Sequence, residues 1–247
     1  VELSRWHMRL HAEVERTERE VARLRASGAP EPIVAQYDAQ RERMRQQDDS
    51  VKRQLICYAA QLHAPELLAR ALRFYRLVSR WLVAMAAPPP DGLPLGAEPP
   101  RLFAALPEHA MDDVAQFLRH LTDFCPSALE ALSVDEMGDF VTLMVTFISS
   151  PRYVTNPYLR ATFTKLLRFL VPRSEDNARR ASHSEQLAAV FNSHRLARTH
   201  LAPALMQFFI DIEFGGSGYE KYEYRSEIAQ ILEYLWTLPE YRTAMVG

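Results

Sequence analysis

Apolar residues at the start of the chain recur at helical intervals. Between residues 3 and 25 they are three, four or seven positions apart and form one narrow stripe on a polar segment. This spacing predicts an amphipathic helix that ends at the turn at residues 27–30 and needs a partner surface. The stripe consists of Leu3, Trp6, Leu10, Val14, Val21 and Leu24.

Two more helices are predicted before residue 86. The first is predicted at residues 32–62. Its first half consists almost entirely of Arg, Gln, Glu and Asp, so we expect that end to project into solvent. The second, 65–85, is strongly apolar, and Pro65 suits its first turn because the missing N–H needs no partner there. We therefore expect a region of long N-terminal helices at residues 1–63, followed by a second region at 64–247.

Residues 87–107 contain seven of the chain's 16 prolines and two of its eight glycines. That density excludes a helix and predicts an extended connector. We interpret it as a loop within the second region, because helical segments of the same style resume after it.

Three helix starts follow at similar intervals, each with its own local signal. Asp112 and Asp113 place negative charge in a first turn, and Ser133 with Glu136 can form a capping box. Asn156 followed by Pro157 supplies an N-cap and a proline at the first helical position. These signals predict helices at 109–124, 134–149 and 157–171, in stacked helical hairpins.

The remainder of the chain is also predicted to be helical. Residues 172–184 read as a polar hinge, and helices are predicted at 185–191, 201–214, 219–238 and from 239 onward. Pro203 falls in a first turn or kinks its helix. We expect at least ten helices and almost no strand: an all-α, armadillo- or HEAT-like stack of helical hairpins forming an elongated solenoid.

The composition of the chain excludes several classes of function. A net charge of -2 and a pI near 6.5 argue against nucleic acid as the main partner. No apolar run approaches the ~20 residues of a membrane-spanning helix, and the first residues form neither a signal peptide nor an initiator sequence, so we expect a fragment of a longer protein. Only three of the 29 basic residues are lysines, which reflects either avoidance of ubiquitin acceptors or, as we favour, a GC-rich genome.

No group of residues predicts catalysis, a cofactor or a metal. The glycines at 215–218 follow a helix and lack the lysine of a phosphate loop. His7 and His11, with Glu15, have chelating spacing but no fourth ligand nearby, so we interpret them as solvated helix residues. Asp211 and Glu213 are two apart and point in different directions. Cys57 and Cys125 are expected to be reduced core residues, and an aromatic cluster is expected to be core: Phe208, Phe209, Phe214, Tyr219, Tyr222 and Tyr224.

Several motifs, in order, resemble one known family. Residues 201–215 (LAPALMQFFIDIEFG) and 219–236 (YEKYEYRSEIAQILEYLW), continued by PEYR at 239–242, resemble the core of the chain-elongating ubiquitin conjugation factors. NPYLRA at 156–161 and LPEH at 106–109 also match, and YRLVSRWL at 75–82 matches more weakly. The resemblance covers roughly residues 65–242, with Gly215 where the family has Thr.

The resemblance implies an armadillo-like core that precedes a C-terminal U-box, which would lie downstream of this chain. The U-box recruits a ubiquitin-conjugating enzyme and promotes chain extension on ubiquitinated substrates destined for the proteasome. A ubiquitin-selective AAA segregase and proteasomal shuttle proteins are the further partners implied, in cytoplasm and nucleus. Without the U-box, the chain by itself is expected to have no ligase activity.

The matched motifs also contain charged residues amid apolar neighbours, namely Arg160, Glu213 and Arg225. We interpret them as structural residues paired within or between repeats, because a partly buried charge needs a partner. Two alternatives stay open: a generic armadillo or HEAT adaptor unrelated to ubiquitin, and a helical hydrolase or transferase, which the missing catalytic residues disfavour.

Overall fold

A computed structural model describes residues 2–90, 92–171, 188–214 and 218–246. Within these ranges it contains twelve helical elements whose two ends are both described, further helical residues at 188–193, and no strand, which confirms the all-α prediction. The chain divides into two compact units, Val1–Leu68 and Ala69–Gly247, each described by itself. No helix in the described residues is long and apolar enough to cross a membrane.

The first unit is built on a hairpin of two long helices, α1 (Glu2–Ala26) and α2 (Glu31–Leu62). The turn between them uses Gly28 at a φ of +68°, a conformation that glycine adopts without strain. From the α1 stripe Leu10, Val14 and Val21 are buried, whereas Trp6 is exposed.

The prediction that the first half of α2 projects into solvent is wrong. Arg25 at the end of α1 donates to Asp38 of α2 at 2.5 Å, and Arg41 contacts the same carboxylate at 3.0 Å. Val34 is buried in the same stretch. The charged side chains therefore line a helix that is packed along one side.

The helix α3 (Pro65–Met85) has the predicted bounds, and a connector follows it. The prediction that residues 87–107 lack helix is wrong at one point, because Arg101–Ala104 forms a short helix, α4. Its Phe103 is 4% exposed and packs against Phe147 and Tyr153, with ring centroids 5.5 and 5.2 Å apart. The Tyr153 hydroxyl also donates to the carbonyl of Glu98 at 3.2 Å, so the connector is fastened to the unit.

Four helices follow: α5 (His109–Phe124), α6 (Pro126–Glu130), α7 (Val134–Ile148) and α8 (Pro157–Leu170). The capping box of Ser133 and Glu136 is confirmed, as is the Asn156 cap, whose side chain accepts from the N–H of Tyr158. The short helix α6 was not predicted. Helix α7 is buried on almost every side, which makes it the centre of the core.

The last part of the unit begins with helical residues 188–193 and a π-helical turn, Ala197–Leu201. It continues with α9 (Ala202–Phe214), α10 (Gly218–Trp236) and α11 (Pro239–Val246). Pro203 lies in the first turn of α9. The predicted hinge at 172–184, the start of the helix at 185–191 and the glycines at 215–217 lie outside the described residues.

Helices in this unit pack on near neighbours in sequence. Helix α8 contacts α5, α7 and α10, and α11 contacts the π-helical turn, α9 and α10. The Tyr241 hydroxyl of α11 donates to the carbonyl of Phe191 at 2.8 Å in the core. This arrangement is a stack of helical hairpins, as the sequence predicted.

Candidate functional site

Arg160, Asp211 and Arg225, three of the polar residues singled out in the sequence, lie where α8, α9 and α10 pack together. Arg160 on α8 is 5% exposed. Its Nη1 donates to Asp211 Oδ2 of α9 at 3.2 Å, and its Nη2 donates to the carbonyl of Ile148, at the end of α7, at 3.2 Å. The guanidinium carbon also lies 4.2 Å from the centroid of the Phe208 ring. Arg160 therefore ties α8 to both α7 and α9.

Burial lowers the pKa of Arg160, and the Asp211 carboxylate opposes that shift by stabilising the charged form. The guanidinium remains protonated at neutral pH because its ordinary pKa is so high. Asp211 is held in place by a second bond, from Gln207 one turn earlier on α9 at 2.9 Å. The buried Arg160 guanidinium thus has an ionic partner in Asp211, and the hydrogen bond from Gln207 fixes the orientation of that partner.

The expectation that Arg160 is a structural residue paired within or between repeats is confirmed, and its ionic partner is Asp211. The side chain of Glu213 lies outside the described residues. Arg225 of α10 lies over the Phe209 ring of α9, 4.1 Å from its centroid, so it too links two helices. Because Asp211 and Glu213 are two residues apart, the sequence indicates that they point in different directions on α9. It does not indicate which of the two carboxylates faces α8.

The aromatic cluster expected in the core is only partly there. Phe208 is buried, whereas Tyr222 is 77% exposed. The side chains of Phe214 and Tyr219 lie outside the described residues. Helical spacing predicts the angles between these rings around the helix axis. It does not predict which of the rings pack against other helices and which face solvent.

A groove of about 490 Å³ runs between α5, α8 and α10. Both signs of charge line it: Arg119 pairs with Asp123 at 3.8 Å, and Lys165 binds Glu223 beside it at 2.6 Å. Tyr158 forms part of the wall and is half exposed. Because these charged side chains pair with each other, the groove favours a polar contact surface over a reaction centre.

In the first unit, the two histidines of α1 converge on one carboxylate of α2. Asp48 is buried, with Oδ2 3.0 Å from His11 Nδ1 and Oδ1 3.4 Å from His7 Nε2. Its contact with His11 raises the pKa of that imidazole. His11 and Glu15 are 57% and 58% exposed, as predicted for solvated helix residues, whereas the side chain of His7 is only 24% exposed, so the prediction is wrong for His7 alone. Among the described residues, no set of three or more His, Cys, Asp or Glu side chains is placed to hold a metal ion.

Neither cysteine lies in a disulfide. Cys125 is buried, which raises the pKa of its thiol, but Cys57 is exposed, so the prediction that both belong to the core is wrong for Cys57. Cys57 sits on α2, whose mixed polar and apolar pattern left its orientation undetermined.

His194 is partly buried in the second unit, so its interpretation as a solvated residue is wrong. The N–H of Ala197 donates to its Nδ1 at 3.1 Å, so the imidazole proton is on Nε2, which lies 2.9 Å from Thr142 Oγ1 and 3.2 Å from the carbonyl of Gly138. Burial lowers the pKa of His194, and the bond to Gly138 opposes that shift. The neutral ring links α7 to the π-helical turn.

Acidification is expected to destabilise the second unit through His194. Its pKa in the folded protein lies below the ordinary value of about 6.5, so the unfolded state binds more protons as pH falls below 6.5. The free energy of unfolding should therefore fall from about pH 6.5 downward, toward the folded pKa. Urea unfolding of wild type and His194→Gln at about pH 5 and pH 7.5 measures this.

The His194→Gln variant should lose part of that pH dependence. His109→Gln, which replaces an exposed histidine of α5, is the matched control for the substitution itself. If wild type and His194→Gln show the same change in unfolding free energy between the two pH values, His194 is not the titrating group.

Comparison with known proteins supplies the family. The family model of the ubiquitin elongating factor core matches residues 2–247 and so includes the two N-terminal helices, which contain none of the motifs that carry the resemblance. The chain is 34% identical over 241 residues to a probable ubiquitin conjugation factor E4 of Arabidopsis thaliana, covering 95% of this chain and 22% of that protein.

Two further relatives carry the same description. A ubiquitin conjugation factor E4 of Schizosaccharomyces pombe is 29% identical, with 82% of this chain and 20% of the relative covered. Ubiquitin conjugation factor E4 A of Bos taurus is 29% identical over 66% of this chain and 15% of the relative. The chain thus spans about a fifth or less of these proteins, and the family match over nearly all of its residues shows that it belongs to the ubiquitin elongating factor core family.

Proposed function

We propose that this chain is a scaffold region of a ubiquitin chain-elongation factor, and that it acts by fixing distances and angles between other parts of the protein. The observation that carries the proposal is that two motifs typical of the family, around Arg160 and Asp211, meet in a part-buried ion pair instead of lining a reaction centre. Rigid placement of a conjugating enzyme beside an acceptor raises the effective concentration of the reactants.

The whole protein would extend ubiquitin chains through a U-box outside this chain. Its partners would be a ubiquitin-conjugating enzyme and ubiquitinated substrates, with an AAA segregase and proteasomal shuttle proteins downstream. Similarity to proteins described as ubiquitin conjugation factors supports this proposal over a generic helical adaptor.

Reconstitution with activating enzyme, conjugating enzyme, ubiquitin and a monoubiquitinated substrate is the test. We expect the longer protein that contains this segment to extend chains and the 247-residue chain to be inactive. At a temperature well below unfolding, Asp211→Ala in the longer protein should keep most of the activity, because a scaffold residue acts through folding. Loss of activity in a fully folded Asp211→Ala variant, or activity of the 247-residue chain alone, would contradict the proposal.

A further inference from the structure

Helix α3 presents large apolar side chains to solvent on the part that belongs to the second unit. Phe74, Leu77 and Trp81 are 58%, 65% and 45% exposed. Intervals of three and four residues place them on one side of the helix. Single exposed apolar side chains are ordinary, whereas a contiguous group marks an interaction surface. We call these three residues the α3 ridge.

The other side of α3 is fixed to the unit. Tyr75 stacks on Phe117 of α5, with ring centroids 4.2 Å apart. Arg76 donates to Glu136 at 2.5 Å and to Asp139 at 3.0 Å, both on α7. Because these contacts fix the rotation of α3 about its axis, the ridge is held in place before any partner arrives.

Arginines border the ridge along one edge. At 100° per residue, Arg73 and Arg80 lie on the same side of the line through Phe74 and Trp81. Arg80 is 67% exposed and lies 4.0 Å from Asp139 at its nearest approach. The Arg73 Nε donates to the carbonyl of Ala69 within α3, and its side chain is exposed. Two exposed arginine side chains therefore lie beside the ridge, about two helical turns apart.

We propose that the α3 ridge docks an amphipathic helix of a partner protein, with Asp or Glu along the border of that helix's apolar face. A ridge with this spacing fits between the side chains of a second helix, as in helix-to-helix packing. The arginine edge would steer an acidic border and fix the orientation of the bound helix.

The same charges disfavour a second copy of the chain that docks through the same ridge, because it would bring a second arginine edge against the first. The proposal does not depend on the chain-elongation function.

Selection of 16-residue peptides by phage display on the 247-residue chain tests the kind of partner. We expect enriched peptides to be acidic and to carry apolar residues at intervals of three and four. In fluorescence anisotropy, Leu77→Gln and Trp81→Gln should weaken their binding about tenfold or more. Arg73→Glu should weaken binding and reduce its salt dependence.

Leu102→Gln is the matched control, because Leu102 on α4 is 72% exposed and lies off the ridge. It should change binding less than about twofold, and all variants should melt like wild type because these side chains are exposed. Enrichment of basic or non-helical peptides, or no enrichment, would overturn the proposal. So would binding to phosphatidylserine vesicles, or dimerisation in sedimentation, that Leu77→Gln abolishes while peptide binding stays intact.

Discussion

Replacing Phe103 with alanine should lower the free energy of unfolding of the second unit by about 3–5 kcal/mol, as is usual for a buried phenylalanine. Phe103 is 4% exposed and packs on Phe147 and Tyr153. Its removal takes away the transfer free energy of the ring and leaves a cavity beside α7, which is packed too tightly to collapse into it.

The neighbouring Leu102 provides a control on the same four-residue helix. It is exposed, so Leu102→Ala should change the free energy of unfolding by less than about 0.5 kcal/mol. Urea unfolding of both variants at neutral pH measures the difference. Equal effects of the two substitutions would mean that the connector is not anchored through Phe103.

Asp211→Ala should lower the free energy of unfolding by about 2–4 kcal/mol. Removing one member of a buried pair usually costs about 3–5 kcal/mol because the remaining charge is left uncompensated. Asp211 is 34% exposed, so water reaches part of the Arg160 guanidinium in the variant and reduces the loss. Arg160 also keeps its bond to the carbonyl of Ile148.

Asp123→Ala is the matched control for this substitution. Asp123 pairs with Arg119 on the surface of α5, where both side chains are more than half exposed. Its removal should cost about 0.5 kcal/mol or less. The double variant Arg160→Met with Asp211→Leu should recover much of the stability, because apolar groups of similar size replace both charges. A loss in Asp211→Ala no greater than in Asp123→Ala would show that the pair is not stabilising.

Local signals in the sequence located many of the helix ends correctly. The capping box at Ser133 and Glu136 and the Asn156 cap depend on hydrogen bonds between residues two or three apart, which adjacent residue types already specify. Helix α4 was missed for the opposite reason. A single turn has little stability of its own, and Phe103 holds it only through contacts with residues more than forty positions away.

The candidate site likewise has features that follow from the sequence and features that only the tertiary structure determines. The sequence by itself determined that the chain is helical and that Arg160 needs a partner, because hydrophobic periodicity, helix-start signals and the cost of a buried charge can be judged from local residue types. Only the tertiary structure decided that the partner of Arg160 is Asp211 and that Asp48 contacts both His7 and His11. It also decided which apolar helix faces are exposed to solvent. Those outcomes depend on how helices far apart in sequence are rotated against each other, since periodicity defines a face without defining what covers it.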